Sequence, residues 1–130
     1  MTHEIEFHPQ FILPLLEGRK TQTTRIHDRF GGVGDFLTVD GGANYGLRLQ
    51  ITAKQTLPWI PVAMYRHDKE GFICADDFEK FWDSLYGATD YASENNPDVV
   101  VIEFKIILKW HDREWMKRMM SEKEIGRAHV

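Results

Sequence analysis

Gly18-Arg19-Lys20-Thr21-Gln22-Thr23-Thr24-Arg25 gathers three cations and three hydroxyls in a chain whose formal net charge is -4. It follows a short apolar segment, Phe11 to Leu16, and precedes the glycine turn Gly31-Gly32-Val33-Gly34-Asp35. Lys20 and Thr23 stand three apart, so a regular strand would send them to opposite faces, whereas a helical turn or tight bend lets them converge. Gly18 sits where a helix commonly ends, and a bend is therefore expected after it. If a strand starts near Thr23, then Thr23 and Arg25 share one face while Thr24 points into the core. The stretch reads as helix, bend and strand, with Lys20, Thr23 and Arg25 brought together.

Outward from it, Pro9 can open a helix at its first position, and the spacing of Phe11, Leu15 and Leu16 predicts that helix over 9–17, shortened or kinked by Pro14. After the glycine turn, Phe36-Leu37-Thr38-Val39 reads as a strand. Tyr45, Leu47, Leu49, Ile51 and Ala53 then alternate with polar residues, which predicts a second strand with Arg48, Gln50 and Thr52 on the opposite face. Pro58 and Pro61 interrupt the pattern before a short helix over Val62 to Lys69. Asp76 and Glu79 have the spacing of a capping box, and Phe78, Phe81, Trp82, Leu85 and Tyr86 fall at helical spacing up to Gly87, predicting a helix over 76–86. Residues 87–98 read as a loop and Val99 to Leu108 as a long buried strand. Trp115, Met116, Met119 and Met120, beside Arg113, Lys117 and Arg118, predict a terminal helix packed on the domain. This order of elements is α+β: a small, mostly antiparallel sheet or open barrel with helices at its ends.

Composition narrows the functional classes. At 130 residues the chain has the size of one domain, 1–130, and its 42% apolar and 28% charged residues are globular values that exclude wholesale disorder. The acidic balance argues against a protein that coats nucleic acid by bulk charge and confines any such contact to one basic patch. Cys74 alone excludes an internal disulfide framework, and no zinc-ligand spacing appears, so a reducing cytoplasm and no metal are expected. The first residues lack the pattern of a signal peptide, and no apolar run is long enough to cross a bilayer.

A cluster of Lys20, Thr23 and Arg25 can hold a phosphate, a carboxylate or the carbonyl of a nucleobase, Arg25 as a planar fork and Lys20 as a point charge. A lysine whose pKa is lowered by burial or by a neighbouring cation can also act as a base toward a threonine hydroxyl. Spacing alone favours the plainer reading of a solvated basic loop with the threonine in a strand, because structural charge clusters are common. Glu70 can complete such a site by orienting Lys20 or taking a proton, although a surface glutamate has the same signature. Trp59, Tyr65 and Phe72 flank that stretch and are candidates to stack on a base; His27 and His67 have no evident partner, and Cys74 reads as a packed small residue.

With these residues in place the chain resembles an ASCH domain, of the family related to PUA domains. The resemblance rests on Gly18-x-Lys20-x-x-Thr23-x-Arg25, then Val33-Gly34-Asp35, Glu70-Gly71-Phe72 and Val100-Val101-Ile102-Glu103-Phe104, which together span roughly residues 7–108 in order. It implies a small PUA-like open β-barrel with a cleft beside the signature, and RNA or a modified nucleoside as partner. Some bacterial members with this architecture are N4-acetylcytidine amidohydrolases; their catalytic residues would fall on Lys20, Thr23 and Glu70, with no cofactor required. Arg19, Arg25, Trp59 and Tyr65 would then contact substrate or RNA. The alternative carried by the same resemblance is a non-catalytic RNA-binding module, or a metal-independent ribonuclease, using the same cationic cleft. Beside the more compact deacetylases, this chain adds the loop at 87–98 and a C-terminal extension, 109–130. Oligomeric state is left open.

Overall fold

The computed structural model describes residues 2–40 and 47–107. Five strands form one mixed sheet: β1 (Thr2–Glu6), β2 (Gln22–Arg25), β3 (Phe36–Asp40), β4 (Arg48–Pro58) and β5 (Asp98–Ile107). Their spatial order is β1-β3-β4-β5-β2. Every neighbouring pair is antiparallel except β1 with β3, which run parallel. The sheet is not closed. Its two edges, β1 and β2, come together at one end, where Arg25 Nη2 donates to the Glu6 carbonyl at 2.6 Å.

The sheet is covered on both faces, and β5 explains how. Val100, Ile102 and Phe104 join Ile5, Leu37, Leu49 and Ile51 in the larger core, while Val99 and Val101 join Trp59, Val62, Phe78 and Trp82 in the second. Burial on both sides is why 99–102 reads as a continuous apolar run and not as an alternation. The second core lies under α2 (Trp59–Arg66) and α3 (Ala75–Tyr86). The larger one receives Phe11 and Leu15 from a 3-10 turn (Pro9–Phe11) and from α1 (Ile12–Leu16). Among the described residues no helix is long and apolar enough to cross a membrane.

The α+β expectation holds, with local corrections. β4 runs to Pro58 and α2 begins at Trp59, not Val62: Pro58 is the extended N-cap residue, and Pro61 falls in the first turn, where a missing N–H removes no helical bond. Helix α3 begins at Ala75 behind Cys74, without a side-chain cap. The expected Asp76–Glu79 capping box does not form. Asp76 and Asp77 instead occupy the first turn, where carboxylates favour the helix dipole. The loop after α3 contains a 3-10 turn, Ser93–Asn95, fastened to the helix by Ser93 N–H donating to Asp83 Oδ1 at 2.8 Å. β1 was not anticipated. The predicted terminal helix and extension, with Trp115, Met116, Met119 and Met120, lie outside the described residues.

The bend that opens the signature is a helix C-cap. Gly18 has φ +75°, its N–H donates to the Leu15 carbonyl at 3.2 Å, and Arg19 N–H donates to the Pro14 carbonyl at 2.9 Å, the two bonds of a Schellman motif. Lys20 N–H also donates to the Pro14 carbonyl, at 3.1 Å, and this fixes where the Lys20 side chain leaves the backbone. A Cβ on Gly18 would meet nothing within 4 Å. Gly18→Ala is therefore expected to destabilise through left-handed strain alone, by about 1–2 kcal/mol in chemical denaturation; an unchanged midpoint would mean that the cap relaxes freely.

Candidate active site at the open seam of the sheet

Where β1 and β2 fail to pair, the sheet leaves a cleft of about 740 Å³, a volume ordinary for small-molecule sites. Its polar end is formed by Lys20, Thr23, Thr24, Arg25 and Glu70, and its walls are largely aromatic, with Phe7, Phe11, Phe72, Phe81, Trp82 and Tyr86. The turn bearing Glu70 is clamped to the start of β2, because Thr21 N–H and Gln22 N–H both donate to the Lys69 carbonyl, at 2.9 and 3.1 Å. Gly71 follows with φ +94°, and a Cβ there would lie 3.5 Å from the Cβ atoms of both Lys20 and Pro14. The positive φ is what calls for glycine here, since contacts at 3.5 Å would be ordinary packing for a Cβ.

Lys20 is only 4% exposed. Its Nζ donates to the Glu70 carbonyl at 2.9 Å and lies 4.5 Å from the centre of the Phe11 ring and 5.7 Å from that of Phe7. Burial lowers its pKa from the usual lysine value; the nearby Glu70 opposes that shift, and the Arg25 guanidinium adds to it. Glu70 is 3% exposed and moves the other way. Burial raises its carboxyl, while Lys20, the Thr24 and Gln22 side chains and Arg25 pull it back down. Both groups are thus displaced toward their neutral forms, as desolvation of a buried acid–base pair requires.

Thr23 is buried, and its Oγ1 accepts from Arg25 Nε at 3.0 Å. Arg25 is held at its other end by the Glu6 carbonyl, with its guanidinium 5.2 Å from the Phe7 ring and 5.5 Å from that of Phe30. An oxygen that accepts from a guanidinium keeps its own proton available for donation. The arrangement can therefore hold a polarised hydroxyl in the same cleft as an amine of lowered basicity.

The structure gathers Lys20, Thr23, Arg25 and Glu70 around one cleft but not the remaining candidates. Arg19 is exposed and pairs with Glu17 at 3.0 Å, outside the cleft lining. Trp59 is 4% exposed and packs on Phe78 and Trp82, because the first turn of α2 directs it into the second core. Tyr65, on the opposite side of α2, is 76% exposed and outside the lining. The expected contact of Glu70 with Lys20 is made by the main-chain carbonyl. Phe72 does face the cleft, whereas Phe7, Phe11 and the α3 residues Phe81, Trp82 and Tyr86 went unrecognised as lining. The helical stripe of α3 was the available signal, and it was read as core alone. Among the described residues no cluster of three or more His, Cys, Asp or Glu could hold a metal ion.

Compared by sequence, the chain matches no protein-family model and no curated protein. Compared by structure, it is similar to the hypothetical protein PH0355, with a TM-score of 0.64 and 19% identity over 82% of this chain and 100% of that one. It is also similar to the ASCH domain from Lactobacillus crispatus, with a TM-score of 0.60 and 12% identity over 81% of this chain and 79% of that one. ASCH from Zymomonas mobilis matches with a TM-score of 0.54 and 9% identity, over 88% of this chain and 92% of that one. On this likeness, and on the open five-stranded sheet with its helices, the fold of this chain is that of the ASCH domains.

Proposed function

We propose that the chain is an ASCH-type amidohydrolase that removes the acetyl group of N4-acetylcytidine. The observation that carries the reading is a nearly inaccessible lysine of lowered pKa in a cleft with a threonine whose hydroxyl a guanidinium polarises. Neutral Lys20 takes the Thr23 proton as Oγ1 attacks the acetyl carbonyl, giving a tetrahedral intermediate whose oxyanion faces Arg25. Collapse breaks the C–N bond. The departing exocyclic amine takes a proton from the Lys20–Glu70 pair, and cytidine leaves. Water then attacks the acetyl-threonine ester, giving its proton to the pair, and acetate leaves as Thr23 regains its hydrogen. The net reaction is N4-acetylcytidine plus water to cytidine plus acetate. The aromatic walls suit a flat base, with Phe72 taking the stacking role expected of Trp59 and Tyr65.

Purified protein is expected to release cytidine and acetate in equal amounts from N4-acetylcytidine. Tight binding of nucleoside or RNA with no acetate released would replace this reading with the binding module. Shortened RNA chains in metal-free buffer would replace it with the ribonuclease.

A further inference from the structure

Gln22 is wholly buried, and its amide nitrogen and oxygen both lack a hydrogen-bond partner of regular geometry; the same is true of Thr24 Oγ1 and Glu70 Oε2. Buried polar atoms are ordinarily paired, so four together call for an explanation. They belong to one place. Gln22 and Thr24 alternate onto the same face of β2, opposite to the face shared by Thr23 and Arg25, and both side chains bear on the Glu70 carboxyl.

The chemistry of these side chains explains why such a cluster is kept. A carboxamide carries donor and acceptor at one end, so it can donate to a carboxylate or accept from a carboxylic acid; a hydroxyl can do the same. Cations alone would favour the carboxylate, and apolar neighbours alone the acid. We propose that Gln22, helped by Thr24, is a positioning residue that lets Glu70 gain and lose a proton opposite Lys20 by hydrogen-bonding whichever form is present. The inference rests on the reading of Lys20 and Glu70 as the proton-transfer pair of amide hydrolysis. The step is a transfer from the carboxyl oxygen of Glu70 to the neutral Lys20 amine, giving carboxylate and ammonium, and its reverse; no other bond changes. The charged groups facing Glu70 are Lys20 from the bend and Arg25 from β2, and Arg25 is in turn faced by Glu6 and Tyr86. Glu103, opposite Gln22 on β5, is engaged by Lys69 at 3.3 Å and Arg66 at 3.9 Å.

Gln22→Met keeps length and removes both polar atoms, and Thr24→Val keeps shape and removes the hydroxyl. Infrared difference spectra against Glu70→Gln isolate the carboxylic acid band of Glu70 in each folded protein. Each side chain can bond either form, but on balance both lower the Glu70 pKa, so their loss should strengthen the acid band at neutral pH. It should also move the midpoint of the band upward by roughly one unit, a tenfold change in ratio. Acid bands that titrate as in the wild type in both variants overturn the proposal. If Gln22→Met does not fold, Thr24→Val decides the same question. A shifted band in proteins that release no acetate upholds this role for Gln22 and removes the hydrolytic reading instead.

Discussion

Lys20→Met is expected to lower kcat on N4-acetylcytidine by about 10²–10⁴-fold, the usual contribution of a positioned general base, while leaving the protein folded. Methionine retains the packing against Phe11 and Phe7 but has no lone pair that can take the Thr23 proton. The stability of the variant separates two roles for the lysine. As an anchor, Lys20 supplies a charged hydrogen bond to the Glu70 carbonyl, a bond of a kind worth about 1.5–3 kcal/mol. As a buried ammonium it incurs a desolvation penalty, the leading cause of its lowered pKa, which methionine relieves. These contributions oppose each other, so denaturation should show little loss or a gain, as when a site strained for chemistry is relaxed. A fall in stability of more than about 3 kcal/mol would identify Lys20 as a structural anchor, since breaking a needed buried pair costs about 3–5 kcal/mol. The pH profile of the wild type supplies a further check. The base form accumulates as pH rises through the folded-state pKa of Lys20, so activity should climb and level off below the ordinary lysine value of 10.5. A rate still rising above that value would show that the amine is not the base.

The same residues show what a sequence exposes and what it conceals. The bend of Lys20, Thr23 and Arg25 was legible because its determinants are local: Gly18 can adopt φ +75°, and the Pro14 carbonyl accepts from the next two N–H groups within six residues. Glu70 could be offered from the residues only beside the reading of a surface glutamate, and resemblance singled it out, since its contact with Lys20 spans 50 residues and uses a carbonyl, which every residue has. Trp59 and Tyr65 share the aromatic chemistry that suggested base stacking. Which of them turns inward depends on α2 starting at Trp59, and Pro58 concealed that start by serving both as the end of β4 and as the N-cap. β1 was missed because it is only five residues long, with two glutamates, and pairs in parallel with a strand some thirty positions on. In α3 the period identified the apolar face but could not say that part of this face meets a cleft. Gln22 carried no signal, because a glutamine in a short strand at a sheet edge ordinarily faces solvent.

That α3 face leads to the largest expected effect on stability. Trp82→Ala should destabilise the protein by about 3–5 kcal/mol, the range for deleting a large buried aromatic. The indole is 2% exposed and touches Phe78, Trp59 and Tyr86, with ring centres 6.3, 6.1 and 4.6 Å away. Its Nε1 donates to the Tyr91 carbonyl at 2.7 Å, fastening the loop after α3 to the helix. Trp82→Phe separates volume from hydrogen bonding: it keeps most of the packing, loses the donor and should cost about 0.5–1.5 kcal/mol, the net worth of one neutral hydrogen bond. Equal losses for the two variants would show that the Tyr91 tether dominates over the packed volume. The wall also faces the same cleft as Lys20, so the consequence extends from stability to chemistry. With the indole gone, water can enter a pocket in which burial is the main cause of the lowered pKa of Lys20. In folded Trp82→Ala protein the rise of kcat with pH should therefore move upward, toward the value of a solvated lysine. The same shift absent from Trp82→Phe would assign it to lost exclusion of water, because the phenylalanine ring still closes the wall.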